Sequence, residues 1–325
     1  MNSKEMLKRL QPLIALAAMV IALSVIPETH STFLTFSNVR NILLQISVNL
    51  SLSIGMTLVI LTGGIDLSVG AILAFGGAFA AGLFKNGLSL SLFGVQVQFT
   101  VLGAVIAGIL AGATLGLHNG LVITRLRLPP FVATLAMLCI ARCFAMLWTN
   151  GHPVSALGEH FDFMGAGSFI GIPMAVWISV ALAILFQIFS KRTPLGRYIY
   201  AVGGSEKAAK FAGLNVNNIK LWVYTLAGAL AGVAGLIQTA RLDTAEPNAG
   251  LGYELDSIAA VVIGGTSLSG GRGSIFGTIL GCLIIGVLNN GLVLLGVSPF
   301  WQLGIKGYVI IAAVAIDNLS SRKKE

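Results

Sequence analysis

The sequence predicts an all-α fold: a polytopic helical membrane bundle of about ten transmembrane helices, N-in and C-in. Three observations predict it. Of the 325 residues, 56% are hydrophobic and only 10% charged, against roughly 25% charged in an ordinary soluble domain. The 40 glycines are too many for a soluble helical protein and suit closely packed membrane helices. The apolar residues also fall in runs near the ~20-residue length that a spanning helix needs. About ten such runs use roughly 200 residues, so 1–325 reads as a single transmembrane domain. A conventional soluble enzyme, a disordered scaffold and a secreted disulfide module are excluded by the same composition.

The spans are read near 11–27, 42–62, 69–84, 95–117, 131–149, 169–190, 221–240, 256–268, 274–295 and 300–317. The regions 63–70 and 256–273 read as re-entrant or broken. The basic start and the apolar run from Leu13 to Ile26 resemble a signal peptide, but Pro27-Glu28-Thr29-His30 offers no small-residue cleavage site, so this is a first, uncleaved span. The charges set the orientation. Fifteen basic residues, from Lys4, Lys8 and Arg9 through the 191–220 loop to Arg322, Lys323 and Lys324, fall on the inside. Only Arg40, Lys85 and Arg241 fall outside, with Glu28, Glu159, Asp162, Asp243, Glu246, Glu254 and Asp256. This is the positive-inside pattern. The net charge of +8 lies at the termini and in two loops, not on an aromatic-interleaved face, which argues against nucleic acid.

Small residues recur every four positions: Gly108, Gly112, Gly116 and Gly120; Gly70, Ala74, Ala78 and Gly82; Gly228 and Gly232; Gly273, Gly277 and Gly281. Such stripes lie on one helix face and let two backbones approach. Cys139 and Cys143 share a face and read as small packing residues. Gly63-Gly64-Ile65-Asp66-Leu67-Ser68 and Gly264-Gly265-Thr266-Ser267-Leu268-Ser269 echo one another as G-G-x-x-L-S.

No phosphate loop, H-E-x-x-H or G-x-S-x-G is present, and Gly271-Arg272-Gly273-Ser274 lacks the Lys-Ser/Thr ending. The chain therefore has no ATPase motif of its own and does not read as an enzyme. An ion-coupled secondary transporter is the rival reading, with Asp66, Arg142 and Lys306 as the ionisable groups within spans. Asp66 equally suits a cap on the helix that follows it. Lys306 can snorkel outward, and Arg142 needs an acidic or carbonyl partner.

The segment 191–220 is the longest inside loop. Gly203-Gly204 reads as a break, Ser205 as an N-cap and Glu206 as a carboxylate beside the positive helix end. Glu206 to Ala212 then makes about two turns, with Gly213 as the C′ stop. A short capped helix outside the membrane suits docking on a partner, and equally suits a surface helix held by its lysines.

At this point the chain resembles the permease subunit of ribose-type sugar ABC importers, which serve ribose, galactose, xylose, allose and autoinducer-2. The resemblance is carried by Thr62-Gly63-Gly64-Ile65-Asp66-Leu67-Ser68-Val69-Gly70, by Leu128-Pro129-Pro130-Phe131, by Thr193-Pro194-Leu195-Gly196-Arg197 through Gly213, and by Tyr253-Glu254-Leu255-Asp256-Ser257 through Leu268. Glu206-Lys207-Ala208-Ala209 to Gly213 is similar to the E-A-A-x-x-x-G loop of ABC importers, with one residue inserted after the Glu. The resemblance implies that 191–220 is a coupling loop, with Gly196, Arg197, Glu206, Ala208, Ala209 and Gly213 as the coupling residues. It implies three partners: a cytoplasmic ABC ATPase subunit that uses the ATP, a periplasmic sugar-binding protein, and a second permease copy or paralogue. It implies a bacterial inner-membrane location, with no cofactor in this chain. A sugar path is read from Gln45, Asn49 and Ser53, four apart on one face, with Asn289, Asn290 and Asp66. Amides and hydroxyls suit a hydroxyl-rich substrate, and interhelical hydrogen bonding accounts for them equally well.

Overall fold

A computed structural model describes residues 3–90 and 94–322; Lys323 and Lys324 of the inside charge set lie outside these. The helices are α1 (Ser3–Val25), α2 (His30–Phe33), α3 (Phe36–Leu61), α4 (Val69–Asn86), α5 (Val101–Arg125), α6 (Pro130–Thr149), α7 (Glu159–Asp162), α8 (Met174–Arg192), α9 (Pro194–Gly204), α10 (Glu206–Phe211), α11 (Val216–Leu242), α12 (Tyr253–Ile263), α13 (Ile275–Leu294) and α14 (Pro299–Arg322). Three short antiparallel pairs complete the described residues. β1 (Leu88–Leu90) pairs with β2 (Val95–Val97), β3 (Val154–Ser155) with β6 (Thr244–Ala245), and β4 (Ser168–Phe169) with β5 (Ile172–Pro173).

Seven helices among the described residues are long and apolar enough to cross a membrane: α3, α4, α5, α6, α8, α11 and α13. The outer helices α1 and α14 carry shorter apolar stretches, Gln11–Val25 and Pro299–Ala315. Two expected spans are corrected. The one read at 95–117 starts later, at Val101, where the Thr100 hydroxyl caps the helix by accepting from the Gly103 amide at 3.2 Å. The residues before it alternate as Val95-Gln96-Val97 and pair as a strand with Leu88–Leu90. The one read at 256–268 is α12, whose 11 residues rise only ~16 Å.

Helix α11 is the hub of the bundle, packed on α3, α4 and α5. Two glycine stripes of the sequence are the two halves of one interface. A Cβ added at Gly112 would lie 2.4 Å from the Gly228 carbonyl oxygen, and one at Gly116 would lie 2.2 Å from that of Tyr224. The backbones of α5 and α11 therefore touch, which places the largest dispersion contact where lipid offers no hydrophobic drive. On α4, Gly77 meets the Gly235 carbonyl at 2.9 Å in the same sense. On α13, a Cβ added at Gly281 would lie 1.8 Å from the carbonyl oxygen of Ala260 on α12.

Two helices begin inside the bundle. α3 ends at Leu61, residues 62–68 run without helix, and α4 starts at Val69 near the middle of α11, since a Cβ on Gly235 would lie 2.1 Å from the Leu73 oxygen. Likewise α11 ends at Leu242, and 243–252 return to α12 without helix apart from β6. The two breaks meet: a Cβ on Gly70 would lie 2.2 Å from the Gly250 oxygen.

Candidate functional site

The loop at one end of the bundle folds as two helices, not one. α9 runs unbroken through Gly203 and Gly204, which corrects the expected break. Its start is fixed by Pro194 at the first turn and by the Thr193 hydroxyl, which accepts from the Gly196 amide at 3.1 Å. Gly196 is buried because α9 folds back on the end of α8: a Cβ there would lie 2.4 Å from the Phe189 oxygen. Arg197 is exposed and donates to the Arg192 carbonyl at 3.4 Å.

α10 is closed at both ends by its own sequence. The Ser205 hydroxyl accepts from the Ala208 amide at 3.2 Å. Gly213 takes φ +81°, and the Leu214 amide donates to the Ala209 oxygen at 3.0 Å, the Schellman closure of a helix end. Ala209 faces the core, whereas Ala208 and Ala212 are exposed and Phe211 is 92% exposed. Glu206 looks inward along the loop: its carboxylate takes Lys210 at 2.7 Å and Lys220 of α11 at 2.8 Å. These two hydrogen bonds, Lys210 first, hold its carboxyl below the usual carboxylate range. A cavity of about 790 Å³ lies behind α10, between it and the 127–130 turn, and is lined by Arg127, Pro130, Glu206, Lys210, Asn217 and Lys220.

The second group of candidates lies along α3. Gln45 is exposed, Asn49 half-buried and Ser53 buried, so the stripe dives into the bundle. Asn49 Oδ1 accepts from Ser257 of α12 at 3.1 Å and from Ser53 at 3.4 Å. Thr57, one turn on, shares a 2.7 Å hydrogen bond with Thr278 of α13. The other candidates are not brought to this seam. Asn290 makes a reciprocal amide pair with Asn38 of α3, at 2.8 and 3.0 Å. Asn289 is half-buried beside it. Asp66 is fully buried, and its Oδ1 accepts from the Ser68 amide at 2.8 Å and hydroxyl at 2.5 Å, while Asn119 of α5 donates to that hydroxyl at 2.9 Å.

The break before α12 is where sequence reasoning missed most. Non-helical backbone inside an apolar bundle needs donors for its carbonyls. Arg142 supplies them, giving Nη1 to the oxygens of Pro247 and Ala249 at 2.7 and 2.8 Å. Asp256, counted among outside-loop charges, is inside the bundle, and its Oδ2 pairs with Lys306 of α14 at 2.8 Å. Lys306 therefore does not snorkel outward. The signal was present as two isolated charges in apolar runs, but their sequence separation gave no pairing. At the opposite end from the 191–220 loop, Asp243 Oδ1 accepts from the Leu157 and Gly158 amides at 2.6 and 3.3 Å, Arg40 donates to the Ala166 carbonyl at 3.3 Å, and Lys85 donates to the Ser155 carbonyl. These three charges pin the 151–172 loop.

Residues 38–314, which take in both non-helical stretches and the capped helix pair of the basic loop, match the family model described as branched-chain amino acid transport system / permease component. The chain belongs to this family: it is a multi-pass membrane permease component, not an enzyme. Within it the chain groups with sugar import permeases of the ribose type. It is 46% identical to the ribose import permease protein RbsC of Escherichia coli strain K12 over 94% of this chain and 92% of the relative. It is 46% identical to RbsC of Bacillus subtilis strain 168 over 97% and 94%. The D-allose transport system permease protein AlsC of Escherichia coli strain K12 is 42% identical over 89% and 86%. No solved structure matches the chain.

Proposed function

We propose that the chain forms the translocation path of an ATP-driven monosaccharide importer in the bacterial inner membrane, for a ribose-like pentose or a hexose. Counting the 243–252 stretch and α12 together as one crossing gives about ten crossings with both termini cytoplasmic, and the 191–220 loop then lies on the ATPase side. One observation carries the reading: α10 is capped at Ser205 and Gly213, braced to α11 through Glu206, and presents Phe211 outward at 92% exposure. A membrane-surface helix holds lipid phosphates with free lysines, but Lys210 is turned back onto Glu206, and an exposed aromatic on a braced helix suits an apolar socket in a partner. The relatives named for ribose and allose import support the substrate class. A cytoplasmic ABC ATPase subunit hydrolyses the ATP, a periplasmic sugar-binding protein delivers the sugar, and a second permease copy or a paralogue completes the path. Gln45, Asn49 and Ser53 line that path, where the polar stripe opens from the buried Thr57 to the exposed Gln45. Asp66 and Asn290 act as interior ties.

Labelled ribose uptake by a strain lacking its own ribose permease, with and without the ATPase gene, tests this directly. ATP-dependent uptake is expected. Gly213→Val removes the left-handed stop and should abolish uptake with the protein still in the membrane. Uptake driven by a proton gradient with no ATPase present would overturn the reading in favour of a secondary transporter.

A further inference from the structure

Where the coupling loop meets the membrane bundle, three glycine pairs interlock. Gly203 of α9 sits against the end of α3, and a Cβ there would lie 1.7 Å from the Leu61 oxygen and 2.4 Å from the Gly271 amide nitrogen. The Gly271 amide donates to that same Leu61 oxygen at 3.0 Å. A Cβ on Gly270 would lie 2.9 Å from the Gly203 oxygen and 3.0 Å from the Gly63 nitrogen. Gly63 and Gly270 belong to the turns that carry the two G-G-x-x-L-S echoes, and both take left-handed φ, +78° and +85°. Tyr200, one turn before Gly203, donates its hydroxyl to the Gly273 carbonyl at 3.1 Å. On either side Ile199 and Val202 are buried in the same core cluster as Leu58 and Leu61.

Each element at this junction leads to a break. The Gly63 turn leads through 62–68 to the mid-bundle start of α4. The 264–274 turn joins α13 to α12, and the 243–252 stretch that leads into α12 meets α4 where Gly250 faces Gly70. Backbone on backbone is a stiff contact, because no rotamer can absorb a displacement.

We propose that Gly203 is the positioning residue through which movement of the coupling loop reaches both broken helices, by seating α9 directly on the Leu61 carbonyl and the Gly271 amide. This rests on the coupling reading of 191–220. The neighbouring glycine provides the control. A Cβ on Gly204 meets nothing within 4 Å, so Gly203→Ala and Gly204→Ala make the same chemical change in the same helix. Only the first forces α9 away from Leu61, from 1.7 Å to at least 3.0 Å, a shift of about 1.3 Å.

The test uses the complete transporter, permease with ATPase subunit and ribose-loaded binding protein, in proteoliposomes. ATP hydrolysis is read with and without binding protein, alongside ribose uptake. Gly203→Ala should keep assembly and basal hydrolysis but lose roughly tenfold in binding-protein stimulation and uptake, within what one coupling residue carries. Gly204→Ala should match wild type. Equal behaviour of the two variants, whether both active or both inactive, overturns the proposal. Tyr200→Phe keeps the packing and removes the hydrogen bond to Gly273, so it serves if Gly203→Ala does not assemble. A ratio of stimulated to basal hydrolysis unchanged in Tyr200→Phe then overturns the joint. Wild-type vesicles that ignore ATP altogether sink the coupling reading and the joint with it.

Discussion

Arg142 shows how one residue supports an irregular segment. Its Nη1 serves two carbonyls of 243–252, a stretch that has no helix of its own to satisfy them. Arg142→Ala should cost about 2–4 kcal/mol, since each buried carbonyl left without a donor costs about 1–3. Arg142→Lys should recover about half of that, and thermal unfolding of the detergent-purified protein reads both. The Asp256–Lys306 pair behaves differently. Asp256→Leu alone strands an ammonium and should cost about 2–4 kcal/mol, discounted for the 27% exposure of Lys306. Adding Lys306→Met should recover most of the loss, because a partly buried ion pair replaced by apolar residues is close to neutral. A double variant as unstable as the single one would show that the pair has a net stabilising role.

Among the elements, the capped helix α10 and the α5–α11 contact were the most legible. Ser205, Gly213 and the stripes Gly108–Gly120 and Gly228–Gly232 each have one structural use that local chemistry dictates. What escaped was long-range. Gly203 reads as a helix breaker by composition, yet it is helical and is small because Leu61 lies over it. The amide pair that Asn290 makes with Asn38, 252 positions away, was likewise invisible in the sequence. Neither pairing leaves a periodic trace. Gly116→Leu should force α5 off Tyr224 and cost at least ~2 kcal/mol, whereas Gly304→Leu, with open space on its Cβ side, should be near neutral in the same unfolding assay. Glu206 makes a pH prediction. Its lowered carboxyl contributes stability above the unfolded value of about 4.3, and this is lost as pH falls through the lower folded value. The α10–α11 brace should hold at neutral pH and loosen only in acid, so the protection factors of the α10 amides, referred to the slower intrinsic exchange of acid solution, should fall between pH 7 and pH 3. Unchanged protection would contradict the brace.

At the scale of the whole molecule, fold class was readable because hydropathy is a bulk property, while the backbone and side-chain ties around 243–252 were not, because they join residues far apart in sequence. α3, α4, α5 and α11 form a slab whose backbones touch, and α12 with α14 hangs on it through Arg142, Lys306 and Asn49. The unwound stretch before α12 has a further consequence. Peptide groups outside a helix or barrel are not tolerated in contact with acyl chains. Yet Leu251 is 66% exposed and Leu255 40% exposed on this flank. In the working assembly the open side must therefore face another protein surface or water instead of hydrocarbon. A lipid-dissolved carbene reagent should attach to Leu251 when the chain is reconstituted alone and spare it in the assembled transporter, which makes the flank a readout of whether the permease has found its companion.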